Sequence, residues 1–127
     1  MKDFSKYFII PASPTEVYRA ITNPIALSMW TEEEAVMSLD DGAEFSLWGG
    51  NISGVNLEFE ENKKVVQQWH FGNQEEESIV TLKFHQHKKG TSLEVNHINI
   101  PDDAFDEFVS GWNDLYMDSL ISFFTED

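Results

Sequence analysis

The sequence contains no cysteine among its 127 residues. Disulfide bonds, thiolate catalysis and zinc sites built on cysteine are therefore excluded. Long hydrophobic runs are missing as well, because the apolar stretch near the N-terminus, residues 7–10, is too short for the core of a signal peptide or for a membrane span. We therefore expect a cytoplasmic protein without a membrane-spanning segment.

Basic residues are scarce. Eight Lys and Arg stand against 23 Asp and Glu, which gives a formal charge of −15. Such a charge repels the phosphate backbone of nucleic acids and the surface of anionic lipids. We therefore expect neither a nucleic-acid partner nor a membrane partner, and we interpret the acidity as a means of keeping the protein soluble.

Material for a hydrophobic core is plentiful, since 41% of the residues are hydrophobic and 13% are aromatic. A chain of this length buries about two thirds of its unfolded surface when it folds. No linker-like stretch, low-complexity segment or internal repeat divides the sequence. Residues 1–127 are therefore predicted to form one domain.

A short strand is predicted at residues 6–10, and two short helices are predicted to follow it. Ser13 has the chemistry of an N-cap, Pro14 suits the first helical position, and Glu16 completes the spacing of a capping box. A Thr-Asn-Pro sequence ends this first helix. The second helix is predicted over residues 25–30.

Beyond the acidic run at residues 32–34, the hydrophobic period changes to two. Turn signals rich in Gly, Asp and Asn separate the alternating segments. Together with the first strand, they predict a curved antiparallel sheet of six or seven strands. The segments are residues 35–39, 44–48, 52–60, 65–71, 79–87 and 93–100.

The last segment, residues 103–124, is predicted to be a long amphipathic helix. Its apolar residues recur at steps of three or four, and a helix of this length spans about 33 Å. Only a sheet of comparable length can cover such a stripe, so we predict an α+β fold in which the sheet wraps the helix. Gly111 costs about 1 kcal/mol in a helix interior, which predicts a close approach to another backbone. The apolar positions are Phe105, Phe108, Val109, Trp112, Leu115, Tyr116, Leu120 and Phe123.

Several segments together resemble the C-terminal domain of the activator of the heat-shock-protein-90 ATPase. They are PTEVYRAITNP, MW, GAEFSLWGGNISG, KKVVQQWHF, SIVTLKF, GTSLEVNH, IP and GWNDLY. They run in the family's order and cover nearly the whole chain. The resemblance implies the START-like, or helix-grip, fold and makes heat-shock protein 90 a candidate partner. Two-domain activators also carry an N-terminal domain that makes much of the chaperone contact, and we expect no counterpart of it in this sequence.

Aromatic residues give the strongest functional signal. One interpretation places them in an ordinary core. The other places them around a cavity that binds a small apolar ligand, with polar side chains that orient it; in the resembling superfamily such cavities commonly take lipids, sterols or polyketides. The candidate pocket residues are Gln67, Trp69, His97, Phe108, Trp112 and Tyr116.

Two alternatives to ligand binding remain open. A co-chaperone needs an exposed patch that complements its partner, and the candidates for that patch are Trp30, Trp48 and the acidic run at residues 75–77. An enzyme of the cyclase or hydrolase type would need a paired acid and base in the cavity. His97 alone does not supply that pair, so we expect a non-enzymatic protein without catalytic residues.

Metal and cofactor sites are not indicated. His85 and His87 share a face of one strand, but that face is predicted to be the solvent side, and no third ligand is evident. The glycines Gly49, Gly50 and Gly54 lack the Lys and Ser or Thr of a phosphate-binding loop, so they are interpreted as turn and bulge residues. The acidic runs lack the spacing of a calcium loop.

Overall fold

A computed structural model describes residues 1–71 and 77–125. The strands in these residues are β1 (Lys2–Ile10), β2 (Glu44–Leu47), β3 (Ile52–Glu60), β4 (Lys64–Trp69), β5 (Ser78–His87) and β6 (Gly90–Ile100). They form one antiparallel sheet in the order β1-β6-β5-β4-β3-β2. The first strand therefore pairs with the last, and the remaining strands follow one another as a meander.

Two short helices, α1 (Pro14–Thr22) and α2 (Pro24–Thr31), follow the first strand as predicted. The capping box is confirmed, because the Ser13 hydroxyl accepts the Glu16 N–H at 3.2 Å and the Glu16 carboxylate accepts the Ser13 N–H at 3.3 Å. The Asn23 side chain caps α2 by accepting two N–H groups of its first turn. Both helices thus begin at a side-chain cap followed by proline.

The long C-terminal helix is also confirmed, but its middle is not α-helical. A 3₁₀ turn at Asp102–Ala104 leads into it. The helix then consists of α3 (Phe105–Ser110), a π-helical segment (Gly111–Tyr116) and α4 (Met117–Thr125). After the π-helical segment, the N–H of Met117 bonds to the carbonyl of Trp112, five residues earlier. Nothing in the hydrophobic pattern predicted this change of helix type.

The π-helical segment alters which residues face the sheet. Backbone hydrogen bonds join residues four apart in an α-helix and five apart in a π-helix, so a π-helical turn holds an extra residue and rotates the residues after it around the helix axis. Met117 therefore joins Trp112 on the buried face, and Leu115 turns away and is 44% exposed. The predicted apolar stripe was wrong at these two positions, since it included Leu115 and omitted Met117.

Residues 35–39 do not form a seventh strand. Val36 alone makes a bridge, exchanging two backbone hydrogen bonds of 2.9 Å with Ser46 in β2. Two residues later, the carbonyl of Ser38 accepts a hydrogen bond from the Asn56 side chain at 2.9 Å. Beyond the single bridge, this side-chain contact rather than a further backbone pair joins the segment to the sheet.

The end of β2 was also predicted one residue too late. Trp48 has a φ of 50°, a conformation that a β-strand does not accommodate. The chain leaves the sheet at Leu47 and forms a 3₁₀ turn, Trp48–Gly50.

Strand β3 departs from simple alternation. Its register with β4 shifts after Asn56, at Leu57, which forms a bulge. The buried residues of this strand are Gly54 and Asn56, and Leu57 is exposed. Simple alternation along this segment would place Val55, Leu57 and Phe59 on one face, but the extra residue in the strand reverses the alternation that follows it, so they do not share a face.

The hydrophobic core lies between one face of the sheet and the helices. Alternating residues of β4, β5 and β6 point into it, as predicted. Each large apolar side chain buried there contributes roughly 1.5–3 kcal/mol of gross stabilisation. In the described ranges, no helix has both the length and the apolar character needed to cross a membrane. Fully buried members include Val17, Ile21, Val65, Val80, Leu82, Leu93, Val95 and Leu120.

Candidate functional site

A cleft of about 350 Å³ lies between the C-terminal helix and the end of the sheet where β3 begins and β4 ends. It is open to solvent on one side, and its volume is within the range of small-molecule sites. Four of the six predicted pocket residues line it. The lining residues are Asn51, Ile52, Trp69, Glu107, Phe108, Gly111, Trp112, Leu115 and Tyr116.

Two stacked tryptophans form the floor of this cleft. The rings of Trp69, at the end of β4, and Trp112, in the π-helical segment, are 4.9 Å apart and inclined by 20°. Tyr116 packs against Trp112 at 4.7 Å, and Phe108 packs edge-on against Trp69 at 6.2 Å. These separations are those of attractive aromatic pairs, so sheet and helix are joined here by ring contacts.

The ring of Trp112 is held by a buried chain of hydrogen bonds. Its indole N–H donates to Nδ1 of His97 at 3.1 Å. The proton of neutral His97 is thereby assigned to Nε2, which lies 2.8 Å from the Ser78 hydroxyl oxygen. That hydroxyl donates in turn to the Ile98 carbonyl at 3.1 Å. Burial lowers the pKa of His97 to about 4, although Asp3 opposes the shift, so the imidazole is neutral at pH 7.

The ring of Trp69 is held by a second chain that contains no titratable group. Its indole N–H donates to the Gln67 side-chain oxygen at 3.0 Å, and the Gln67 amide donates to Asn56 at 2.9 Å. Asn56 then donates to the carbonyl of Ser38. Because both indole N–H groups have buried acceptors, the stacked pair has a defined orientation.

Gln67 and His97 therefore do not serve as the polar groups of the pocket that the sequence predicted. Neither side chain lines the cleft. Both ring nitrogens of His97 and both polar ends of the Gln67 amide are engaged in the two chains. The polar groups that do line the cleft belong to Asn51, Glu107 and Tyr116. Burial raises the pKa of the Tyr116 hydroxyl, which stays protonated.

Trp30 and Trp48 are not the exposed surface residues that we expected. Their side chains are only 5% and 8% exposed. Trp30 donates its indole N–H to the Ala20 carbonyl at 2.8 Å, and both rings pack edge-on against Tyr116, at 5.2 and 6.0 Å. These two buried tryptophans therefore pack against Tyr116, which lines the cleft. Residues 75 and 76 of the acidic run lie outside the described residues.

Gly111 does not approach another backbone, contrary to our prediction. It has ordinary helical angles, φ −59° and ψ −43°, and a Cβ atom built on it would meet nothing within 4 Å. Since Gly111 lines the cleft, the space beside it belongs to the cleft. The missing side chain keeps this wall open, a role that sequence reasoning did not identify.

The remaining histidines lie away from this site. His70 and His85 are exposed, and Nε2 of His85 lies 2.8 Å from a Glu94 carboxylate oxygen. Within residues 1–71 and 77–125, no group of three or more His, Asp or Glu side chains is arranged to hold a metal ion.

Comparison with known families identifies the chain. Residues 11–125 match the family described as "Activator of Hsp90 ATPase homolog 1-like protein". The chain belongs to this family. The "Activator of 90 kDa heat shock protein ATPase homolog" of Dictyostelium discoideum is 32% identical over 111 residues, which are 85% of this chain and 29% of the relative. The chain thus spans less than a third of that relative's length.

Solved structures share the fold of this Hsp90-activator family member. An HSP90 activator from Plasmodium falciparum superposes with a TM-score of 0.83 at 25% identity, covering 93% of this chain and 92% of the other. The solution structure of CalU16 from Micromonospora echinospora gives 0.78 at 27% identity, covering 98% and 65%. The predicted family and helix-grip fold are both confirmed.

Proposed function

We propose that this protein binds a small apolar ligand in the cleft between the sheet and the C-terminal helix. The observation that carries the proposal is the 350 Å³ cleft with its aromatic floor. Apolar and aromatic walls with a few polar groups are the usual composition of small-molecule sites. The walls here contribute Ile52, Phe108 and Leu115 beside the stacked pair of Trp69 and Trp112.

The rigidity of the floor supports the same proposal. Each indole ring is held by a hydrogen bond to a buried acceptor, and Tyr116 is held by four neighbouring rings. A ligand that binds a preformed surface loses less free energy in ordering the protein. The exposed Leu115 offers apolar contact area at the rim.

Filling the cleft from the helix tests the proposal. In Gly111→Leu, the new Cβ would meet no neighbour within 4 Å, and we expect the rest of the side chain to extend into the cleft. We expect titration with N-phenyl-1-naphthylamine, a neutral fluorescent probe of apolar sites, to show binding by the unmodified chain. We expect Gly111→Leu to weaken that binding about tenfold or more, since a difference of 1.4 kcal/mol is sufficient for that change.

Ser110→Leu is the matched control, because Ser110 is exposed on the same helix and does not line the cleft. Its affinity for the probe should equal that of the unmodified chain. Circular dichroism and thermal unfolding would verify that both variants fold. An unmodified chain that does not bind, or equal affinities for the two variants, would contradict the proposal.

A second candidate function is stimulation of the heat-shock-protein-90 ATPase. Family membership and the name of the Dictyostelium relative favour it. With Trp30 and Trp48 buried, another surface must serve as the contact. Helix α2 offers Ile25 and Met29, four residues apart and 73% and 61% exposed. Residues at this spacing lie on the same face of a helix.

ATP turnover by heat-shock protein 90 from the same organism, measured with and without this protein, tests the second function. We expect turnover to rise, and the double variant Ile25→Ser/Met29→Ser to remove most of the increase. Gly111→Leu should keep it, because the cleft and α2 are different surfaces. An unchanged rate together with no detectable binding would exclude this function.

We further propose that the cleft binds its ligand without chemical conversion. General acid–base catalysis needs a group within hydrogen-bond reach of the reacting atom. His97 lies behind the floor with both ring nitrogens engaged, and the Tyr116 hydroxyl has a raised pKa. Glu107 is the one carboxylate among the described lining residues, and it is exposed, with no second carboxyl or imidazole group in the lining to act as its partner. A ligand recovered unchanged after prolonged incubation, as judged by mass spectrometry, would agree with this proposal, whereas a product would contradict it.

A further inference from the structure

The charge at the rim of the cleft has one sign. Glu107 lines the cleft and is exposed, and its position is one helical turn before Gly111. The ion pairs among the described residues do not include it. Glu107 thus places an exposed carboxylate at the rim of the cleft, and no ion pair among the described residues compensates its charge.

Basic side chains are absent from the described lining of the cleft. Two lysines of β1 contact the C-terminal helix, but at other positions. Lys2 lies over the ring of Phe105 at 5.1 Å, and Lys6 donates to Asn113 at 2.8 Å. A ligand in the cleft thus meets Glu107 and aromatic rings, in a protein with a formal charge of −15.

These surroundings favour positive charge for two reasons. A carboxylate attracts a cation by its charge, and the attraction increases where apolar walls exclude water. Aromatic rings also attract cations through their electron-rich faces, an effect used to bind quaternary ammonium groups. The half-buried ring of Phe108, which lines the cleft next to Glu107, would supply this second contribution.

Resting on the function proposed above, we propose that the ligand is a flat apolar organic cation. Its body lies over Gly111 against the aromatic floor, and its ammonium group faces Glu107. Gly111 has no side chain, so an aromatic ring of the ligand can approach the helix backbone more closely there than at any other kind of residue. This part of the cleft wall therefore suits a flat ligand.

Three anthracene derivatives of similar size distinguish charge from shape. They are 9-(aminomethyl)anthracene as the cation, 9-(hydroxymethyl)anthracene as the neutral probe and anthracene-9-carboxylate as the anion. Calorimetric titration of the full chain should give the order cation, neutral, anion, with the cation binding about tenfold more tightly than the neutral probe. A difference of that size combines the pair with the exposed Glu107 carboxylate, the contact with the ring of Phe108 and the attraction of the acidic protein as a whole.

Glu107→Gln should weaken binding of the cation about fivefold or more and leave the neutral probe unchanged. Asp106→Asn is the matched control, since Asp106 is the exposed neighbour in the same helical turn and does not line the cleft. Both variants remove one negative charge from the same helical turn. A difference between their affinities for the cation can therefore come only from local contact between the ligand and Glu107.

Each outcome separates this proposal from the one on which it rests. If the neutral probe binds in a way that Gly111→Leu weakens, but the cation binds no better, the cleft binds ligands and the charge preference is wrong. If both charge variants weaken cation binding equally, the preference comes from the overall field and the role of Glu107 is wrong. If N-phenyl-1-naphthylamine binds but no anthracene probe does, the proposal of a flat cation fails and ligand binding stands; if none of these probes binds, both proposals fail.

Discussion

The two tryptophans on the floor of the cleft are anchored in different ways. Trp112 donates its indole N–H to His97, which can take up a proton, whereas Trp69 donates to Gln67, which cannot. Both rings are buried, and they stack on each other. Two residues with the same packing thus depend on chemically different supports.

The two rings therefore pack in the same way but should respond differently to a fall in pH. Protonation would place an N–H on Nδ1 of His97, opposite the indole N–H of Trp112, so that two donors would face each other. The chain through Gln67 and Asn56 has the same donors and acceptors at every moderate pH. Acid should therefore loosen the helix side of the stack before the sheet side.

The largest expected effect is the removal of either ring. Trp69→Ala and Trp112→Ala should each lower the free energy of unfolding by about 3–5 kcal/mol, since both leave a large cavity. The double variant should cost less than the sum of the two, because the rings also contact each other. Urea unfolding followed by circular dichroism measures all three. A loss below about 1 kcal/mol for one of the two rings would show that this ring contributes little to stability, and its anchor would then not matter.

Acid should separate the two anchors. The pKa of His97 is about 4 in the folded protein, below the ordinary value of 6.5. Between these values, the unfolded chain binds a proton that the folded chain does not, so stability falls as pH drops from 6.5 to 4. The expected loss is roughly 3 kcal/mol and should be complete near the lower value.

Comparing pH profiles of unfolding free energy for the unmodified chain and His97→Gln isolates this contribution, because the carboxylates titrate in both. The difference between the profiles should change over this interval and be flat above it. Parallel profiles would mean that His97 is not responsible.

Breaking the other anchor should cost less and should not depend on pH. Gln67→Leu leaves the Trp69 indole N–H and the Asn56 side-chain oxygen without these partners, at a cost of about 1–3 kcal/mol. Thermal unfolding at pH 7 and at pH 5 should show the same loss relative to the unmodified chain. A loss that grew in acid would show that the two chains are coupled.

The smallest expected change in stability concerns Gly111, in the wall of the cleft. Gly111→Ala should raise the free energy of unfolding by up to about 1 kcal/mol, because alanine favours the helix and its methyl group meets no neighbour. Chemical denaturation would detect the gain. If Gly111→Ala instead lowered the free energy of unfolding, the space beside Gly111 would not be open.

Alternation and caps made most of the fold predictable. Residues such as Leu82 and Leu93 carry a period of two that survives in the sheet, and Ser13 with Glu16 forms the expected cap. The failure in β3 came where inward positions are small or polar. Gly54 and Asn56 give no apolar signal, although both are buried.

The aromatic part of the site was predictable, and its supports were not. Trp69 and Trp112 have the right periodicity to meet between sheet and helix. Which polar side chains bind their N–H groups depends on strand register and ring orientation, which alternation does not specify. The π-helical segment was equally hidden, because exchanging Leu115 for Met117 on the buried face leaves a pattern that an α-helix also fits.

The pairing of β1 with β6 has a consequence for how the chain folds. Ser5 hydrogen-bonds to Asn96, which lies 91 positions later. During synthesis, β1 has no partner strand until β6 has emerged from the ribosome. Contacts between such distant residues slow folding, because a long loop must close before they form. The hairpins from β2 to β6 can assemble earlier, so the N-terminal strand is expected to be the last part of the sheet to join.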